Sequence, residues 1–400
     1  MGTELVNKLL DKIFSAHTSW VLFFLSCFFY YGLVSLFLGF SVREGYSFLF
    51  LSFITFCGCL GIVIGRAFPL PDYFVYGGFR RIVVGSASLH GTIWGFFLLY
   101  ATYALLTADA VPLISMLTGA DELTLNEQRG GFLKARTGYE SALIYISTVF
   151  VSVLLPFSLS SLFLKKSRWR FLCFFIFFLY SVSFMQKALF LNVVLPLLYV
   201  FWYLKILDFR KMVFFSFGAF GLLFFLVAAS VSAQGNQGAF DLSEFFSASY
   251  SAKSGADYLV WRIVGVPLFS ASDTLHVFFT QFSGDHLFGA TSSFFSSLFF
   301  LERINLERIV FAYQWSWNET ANTNSFYMVD SYVNFGLLGV IGYSFVVGQI
   351  FRLFAVSDNE AFKSIWPVFC INIFNGSLVP TLLGNGFLLL FLIVILLKDR

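Results

Sequence analysis

Charge is what this chain has least of. Only 12% of its 400 residues are Asp, Glu, Lys or Arg, where soluble domains carry roughly 25%. That scarcity excludes an ordinary water-soluble globule. Cysteine is also sparse, and all five residues (Cys27, Cys57, Cys59, Cys173, Cys370) lie in apolar stretches. Their spacing gives neither a disulfide framework nor a metal pattern, so they read as small hydrophobic packing groups. There is no Asp-x-Asp outside the apolar runs, no His-Glu-x-x-His, no Walker loop and no dinucleotide fingerprint. The sequence therefore leads us to expect no cofactor, no metal and no nucleic-acid partner. Any reaction would draw its energy from an activated substrate.

What the chain has is apolar length. Hydrophobic residues make up 58% and the mean hydropathy is +0.81. Apolar runs recur near the ~20 residues that cross a bilayer as a helix. We expect an all-α polytopic membrane protein, one integral domain over 1–400. Its spans fall at about 18–40, 46–66, 88–108, 140–164, 170–186, 187–204, 211–231, 326–351, 362–380 and 384–398. The fifth and sixth runs share almost no connector, so Met185–Lys187 reads as a hairpin tip. The N-terminal stretch, with Lys8 and Lys12, lacks a small-residue cleavage site and is expected to remain.

Sidedness follows from the basic residues. With the N-terminus cytoplasmic, that side holds sixteen of the 25 basic residues but only seven of the 22 acidic ones. The short connector Lys165-Lys-Ser-Arg-Trp-Arg170 is the strongest anchor. Both termini are then inside, and two long polar segments, 109–139 and 232–325, lie outside. The first carries Arg129, Lys134 and Arg136 around Gly130 and Gly131, glycines that would let backbone approach a ligand. The second has apolar stretches near 258–270, 275–282 and 287–301, interrupted by charge and read as interfacial or re-entrant helices. The Gly336, Gly339, Gly342 ladder reads as a close helix-packing seam.

A few charges stand in costly places. Arg129 and Arg136 sit among glycines, Lys187 at the hairpin tip, and Arg262 directly after Trp261 at the start of an apolar stretch. Charges near the hydrocarbon face a cavity, a partner or a ligand. They can pair with Glu127, Asp257 or Asp330, or snorkel to lipid phosphates. Taken together, Arg129, Lys187 and Arg262, with Arg136 nearby, favour an anion site suited to pyrophosphate, whose oxygens accept forked hydrogen bonds. Asp330 opens a late span, with Tyr327 and Asn334 on its helical face and Tyr332 pointing elsewhere. It reads as a general base in a low-dielectric mouth, or as a helix-opening carboxylate favoured by the dipole. His276 and His286 are competing bases. The outer aromatics, including Trp261, Tyr327 and Tyr332, belong to an interfacial belt or stack on sugars.

These stretches resemble a known family. Ser183-Phe-Met-Gln-Lys187-Ala-Leu-Phe-Leu, the Arg129-Gly-Gly stretch, and Asp330-Ser-Tyr332-Val-Asn-Phe335-Gly336-Leu-Leu-Gly339 are similar, in order and sidedness, to segments of the bacterial O-antigen (oligosaccharide repeat-unit) polymerases, the Wzy group. The resemblance implies a glycosyltransferase type C-like fold in the bacterial inner membrane, with the large loop and active face periplasmic. It implies transfer of a growing glycan from undecaprenyl pyrophosphate to the next lipid-linked unit, with no metal. Arg129, Arg136, Lys187 and Arg262 would hold the pyrophosphate, with Lys187 and Arg262 stabilising the leaving group. Asp330 would deprotonate or orient the acceptor hydroxyl. Implied partners are the lipid-linked oligosaccharide, a chain-length co-polymerase and a flippase. An O-antigen ligase, and a flippase or transporter of the same lipid-linked unit, are the alternatives.

Overall fold

The computed structural model of the chain describes residues 15–42, 45–76, 82–120, 122–134, 136–183, 187–206, 241–316, 323 and 325–399. It is predominantly helical. Among the described residues six helical runs are long and apolar enough to cross a membrane: α1 (Ser19–Ser41), α2 (Tyr46–Val75), α3 (Ser86–Leu106), α4 (Gly138–Leu164), α5 (Gly255–Gln281) and α6 (Tyr327–Val356). Shorter apolar helices cover Arg170–Ser183, Leu191–Tyr203 and Phe387–Leu396. Three-residue strands, β1 (Ile82–Val84) and β2 (Leu397–Asp399), pair in parallel.

Several sequence expectations change in detail. Stretches 258–270 and 275–282, expected as separate interfacial helices, are joined in the 27-residue run of α5. The charges that were expected to interrupt it are accommodated. Arg262 is exposed within a π turn (Trp261–Gly265), and Asp273 accepts a hydrogen bond from the Gln314 side chain at 2.8 Å. Between 287 and 301 only Ser293–Leu298 is helical. The segment 109–139 contains helices Pro112–Leu117 and Glu122–Lys134, so Gly130 and Gly131 lie inside a helix, not in an open loop. The stretch 362–380 is divided into Glu360–Lys363, Trp366–Phe374 and the start of Leu378–Leu383. The expected span 211–231 lies outside the described residues, as do residues 184–186 of the expected hairpin tip.

The chain divides into two compact units. The first comprises residues 1–69, 209–352 and 371–379, and the second 70–208, 353–370 and 380–400. In the first unit α2 and α6 meet along a seam of small residues. A Cβ on Gly61 would lie 2.8 Å from the Ile341 carbonyl oxygen and from Ser344 Cβ, and Gly65 and Gly348 approach opposing backbone still more closely. Without side chains at these points the two backbones gain contact that lipid cannot provide. The carbonyl oxygens where the regular part of α2 ends are then capped from α6. Gln349 donates to Gly65 and Phe68, and Arg352 donates to Arg66 and Ala67.

The packing seam is therefore Gly61, Gly65 and Gly348, and the expected ladder at Gly336, Gly339 and Gly342 does something else. Gly336 has φ +64° and ψ −157° and breaks α6 within its third turn. That backbone region is almost closed to residues with a Cβ. A Cβ on Gly339 would collide across the break with the Ser331 carbonyl and Phe335, whereas Gly342 faces open space.

In the second unit Phe97, Leu155, Phe177 and Val200 are fully buried in one apolar cluster. Its polar atoms are paired, as burial requires. Tyr180 bonds Tyr100 at 3.0 Å and Ser147 at 2.9 Å, and Ser158 accepts from Trp94 and pairs with His90.

Candidate functional site

The break at Gly336 organises the surroundings of Asp330. An intact helix would carry the carbonyls of Val333 and Asn334 to donors four residues ahead, beyond Gly336. Here both turn to another partner. Leu287 N–H donates to the Val333 carbonyl at 3.0 Å and Phe288 N–H to the Asn334 carbonyl at 2.9 Å. The Asn334 side-chain oxygen also accepts from Gly289 N–H at 2.9 Å. Three consecutive amides of the 287–289 loop are thereby sewn to the end of the first half-helix. The sewing delivers Thr291 to Asp330.

Asp330 is 8% exposed. Its Oδ1 accepts from Thr291 Oγ1 at 3.0 Å and from Asn334 Nδ2 at 3.2 Å. Asn334 Nδ2 also reaches Thr291 Oγ1 at 2.7 Å and the Asp330 carbonyl at 2.8 Å. The Ser377 hydroxyl, 2.8 Å from Ser325 Oγ, also bears on this carboxyl. These partners are neutral hydroxyl and amide groups, and among the described residues no cation pairs with the carboxyl they hold in place.

A second carboxyl stands behind it. Glu307, in helix Leu306–Trp315, accepts from Ser325 Oγ at 3.4 Å, and Ser325 Oγ lies 2.8 Å from Ser377 Oγ. Burial pushes the pKa of Glu307 up to about 7, and the negative charge of Asp330 adds to the effect. The Ser325 hydrogen bond and the Arg303 charge act in the opposite sense. Along the same extended segment Thr323 joins a separate network, bonding Ser270 at 3.0 Å and the Gln314 side-chain oxygen at 3.2 Å.

The sequence candidates fall in distinct places. Tyr327 is fully buried, with its hydroxyl 3.2 Å from Ser344 Oγ. Tyr332 turns away from Asp330 toward Phe50, Phe278, Phe279 and His286. The His286 ring stacks on Phe278 at 5.8 Å, and its buried Nδ1 has no hydrogen-bond partner among the described residues. His276 Nδ1 pairs with the Tyr46 hydroxyl at 2.7 Å, and its ring lies against Tyr313. Trp261 is 3% exposed, packed among Tyr250, Tyr258, Phe269 and Trp315. The exposed rings of this unit include Phe288, Phe294, Phe300 and Tyr313.

Of the basic candidates, Arg262 belongs to the first unit, and Arg129, Arg136 and Lys187 belong to the second. Arg129 and Lys187 lie in helices Glu122–Lys134 and Lys187–Tyr203, and their side chains are outside the described residues. Arg136 is engaged internally. It donates to Thr107 Oγ1 at 2.6 Å and to the Ala104 carbonyl at 2.9 Å, and pairs with Glu140 at 3.3 Å. Asp257, a possible counter-ion for Arg262, accepts instead from the Tyr250 hydroxyl and the Lys253 amide, each at 2.8 Å.

Thr291, Glu307, Ser325 and Ser377 gave no sequence signal. They converge on Asp330 from separate stretches of chain, and single hydroxyl residues carry no periodicity. Among the described residues no group of three or more His, Cys, Asp or Glu side chains is placed to hold a metal ion.

The fold and these membrane-length helices define an α-helical, multi-pass membrane protein. Comparison with protein families, curated proteins and solved structures finds no match to this chain.

Proposed function

We propose that this chain is a metal-independent membrane glycosyltransferase of the repeat-unit polymerase type, acting at the periplasmic face of a bacterial inner membrane. It would move a growing glycan from undecaprenyl pyrophosphate onto a hydroxyl of the next lipid-linked unit. The observation that carries this reading is the Asp330 carboxyl, buried beside Thr291, Asn334 and Ser377 with no basic partner among the described residues. A carboxylate fixed by neutral donors and lacking a counter-ion is equipped to take a proton from a sugar hydroxyl. Arg262, exposed and in the same unit as Asp330, would supply charge that a pyrophosphate leaving group requires. The chain-length co-polymerase and flippase implied by the resemblance remain the proposed partners.

One observation favours a second reading, a transporter of the lipid-linked unit. Helices broken within the membrane beside buried carboxyls are a device of transporters, and α6 is broken at Gly336 close to Asp330.

Purified protein in nanodiscs, given a lipid-pyrophosphate-linked repeat unit with EDTA present, separates the two. A ladder of sugar polymers supports glycosyl transfer. No ladder, together with movement of the intact lipid-linked unit across sealed vesicles, supports transport and removes the enzyme reading.

A further inference from the structure

Two helices of the second unit end in the same way. At the end of α4, Lys166 N–H donates to the Phe163 carbonyl at 3.1 Å and Ser167 N–H to the Leu162 carbonyl at 2.9 Å, with Lys166 at φ +50°. At the end of helix Lys187–Tyr203, Lys205 N–H donates to Trp202 at 2.9 Å and Ile206 N–H to Phe201 at 3.0 Å, with Lys205 at φ +57°. This left-handed closing position is ordinarily a glycine, because a Cβ is strained there. Both helices place a cation in it instead.

Two arginines join the lysines. Arg168 lies in the connector after α4, and Arg170 opens helix Arg170–Ser183. Phe163 ties the three helices together here, its ring 5.6 Å from Phe171 and 5.4 Å from Phe201. The negative ends of the two finishing helices favour the lysines. The start of Arg170–Ser183 is a positive end, so the helix dipole does not account for the arginines. Lys166, Arg168 and Arg170 have no carboxylate partner among the described residues. Glu360, brought toward the end of α4 by the Ser364–Ser160 bond, is taken up by Lys363 at 2.7 Å and Tyr199 at 3.2 Å.

The neighbouring rings set what these cations can hold. Arg168 lies over the Trp169 ring at 5.2 Å, and Arg170 over Phe171 at 4.7 Å. A guanidinium stacked on a ring keeps its in-plane N–H groups for oxygen acceptors. From Arg170 onward, exposed Phe171, Phe175 and Leu179 recur every fourth residue along one side of the helix. The charge therefore runs directly into an exposed apolar stripe. A phosphate headgroup joined to hydrocarbon chains is complementary to both parts.

We propose that this face of the second unit is a binding site for an anionic phospholipid of the bilayer. Lys166, Arg168, Arg170 and Lys205 take its phosphate oxygens, and its chains lie along Phe171, Phe175 and Leu179. A basic cluster at the end of membrane helices draws anionic headgroups in this way. The site lies wholly within the second unit and stands independently of glycosyl transfer.

The test is a lipid titration of the purified full chain in detergent, read by native mass spectrometry, with phosphatidylglycerol compared against phosphatidylcholine. Wild type should bind phosphatidylglycerol about tenfold more tightly. Lys166→Gly combined with Lys205→Gly removes two charges while glycine suits both left-handed positions, so the fold should be kept and the preference should fall about fivefold or more. Arg168→Gln with Arg170→Gln should lower it likewise. Lys253→Gln with Arg303→Gln, the same loss of charge in the first unit, should leave it unchanged. Equal affinity for the two lipids, a preference that either site variant keeps in full, or one lost equally in the first-unit control overturns the proposal. Displacement of phosphatidylglycerol by an equal concentration of soluble glycerol 3-phosphate would assign the cations to a free phosphate and overturn the lipid site.

Discussion

A Cβ placed on Gly336 would lie 2.8 Å from Nε2 of His286. Gly336 breaks α6, and His286 opens the loop whose amides take the carbonyls that the break releases. The break and the loop are thus one device, and the Thr291–Asp330 contact depends on both.

Gly336→Ala should show this. The substitution forces a Cβ into a backbone region open almost only to glycine, at about 1–3 kcal/mol, and into contact with an imidazole that has Phe278 and Tyr332 around it. We expect a total loss of about 2–4 kcal/mol of stability, read as a lower midpoint in detergent thermal unfolding. An unchanged midpoint would mean that the break is not fixed by glycine.

Asn334→Ala removes the amide that ties Gly289, Thr291 and Asp330 together. The Gly289 N–H would be left without its acceptor, at a cost of about 1–3 kcal/mol. Asn334→Asp keeps the acceptor for Gly289 but places a carboxylate 3.2 Å or less from Asp330, so it should be at least as damaging. Thermal unfolding of both variants checks the order.

The acidity of Glu307 predicts a pH dependence with a definite sign. Its folded-state value is raised from the ordinary 4.5 to about 7, so the folded protein holds this proton more tightly than the unfolded chain. Stability contributed by the group is complete below about pH 4.5, falls as pH rises toward 7, and is level above it. The whole effect is at most about 3 kcal/mol. Glu307→Gln should flatten the thermal midpoint across pH 5–7, and a slope identical to wild type would place the titrating group elsewhere.

Arg136 separates two roles. Its bonds to Thr107, Ala104 and Glu140 predict that Arg136→Ala loses about 1.5–3 kcal/mol of stability, with Arg136→Lys recovering part of it. A residue devoted to pyrophosphate would give a stable variant with weakened substrate binding. Thermal unfolding together with binding of the lipid-linked donor distinguishes these outcomes.

The membrane helices were legible in the sequence because hydrocarbon imposes a length and a composition that any reader can count. Runs at 18–40, 46–66, 88–108, 140–164 and 326–351 fall on α1, α2, α3, α4 and α6. The α5 run was obscured by Arg262 and Asp273, which broke the apolar pattern but not the helix. The helix break at Gly336 was hidden in a ladder of glycines that serves helix packing equally well. For the site, Asp330 and Asn334 could be paired by helical spacing alone. Thr291, Glu307 and Ser377 reach them only through tertiary folding, and no local rule marks a lone threonine, glutamate or serine as a partner.

Glycosyl transfer with Asp330 as the base is tested most directly by comparing wild type and Asp330→Asn in the lipid-linked ladder assay, with equal thermal midpoints verified first. The amide fills the same space and keeps an acceptor for Thr291 but cannot take a proton. Ladder formation by the wild type, slowed about 10²–10⁴-fold in Asp330→Asn, is the result this account predicts. A variant that builds the ladder at the wild-type rate would contradict it.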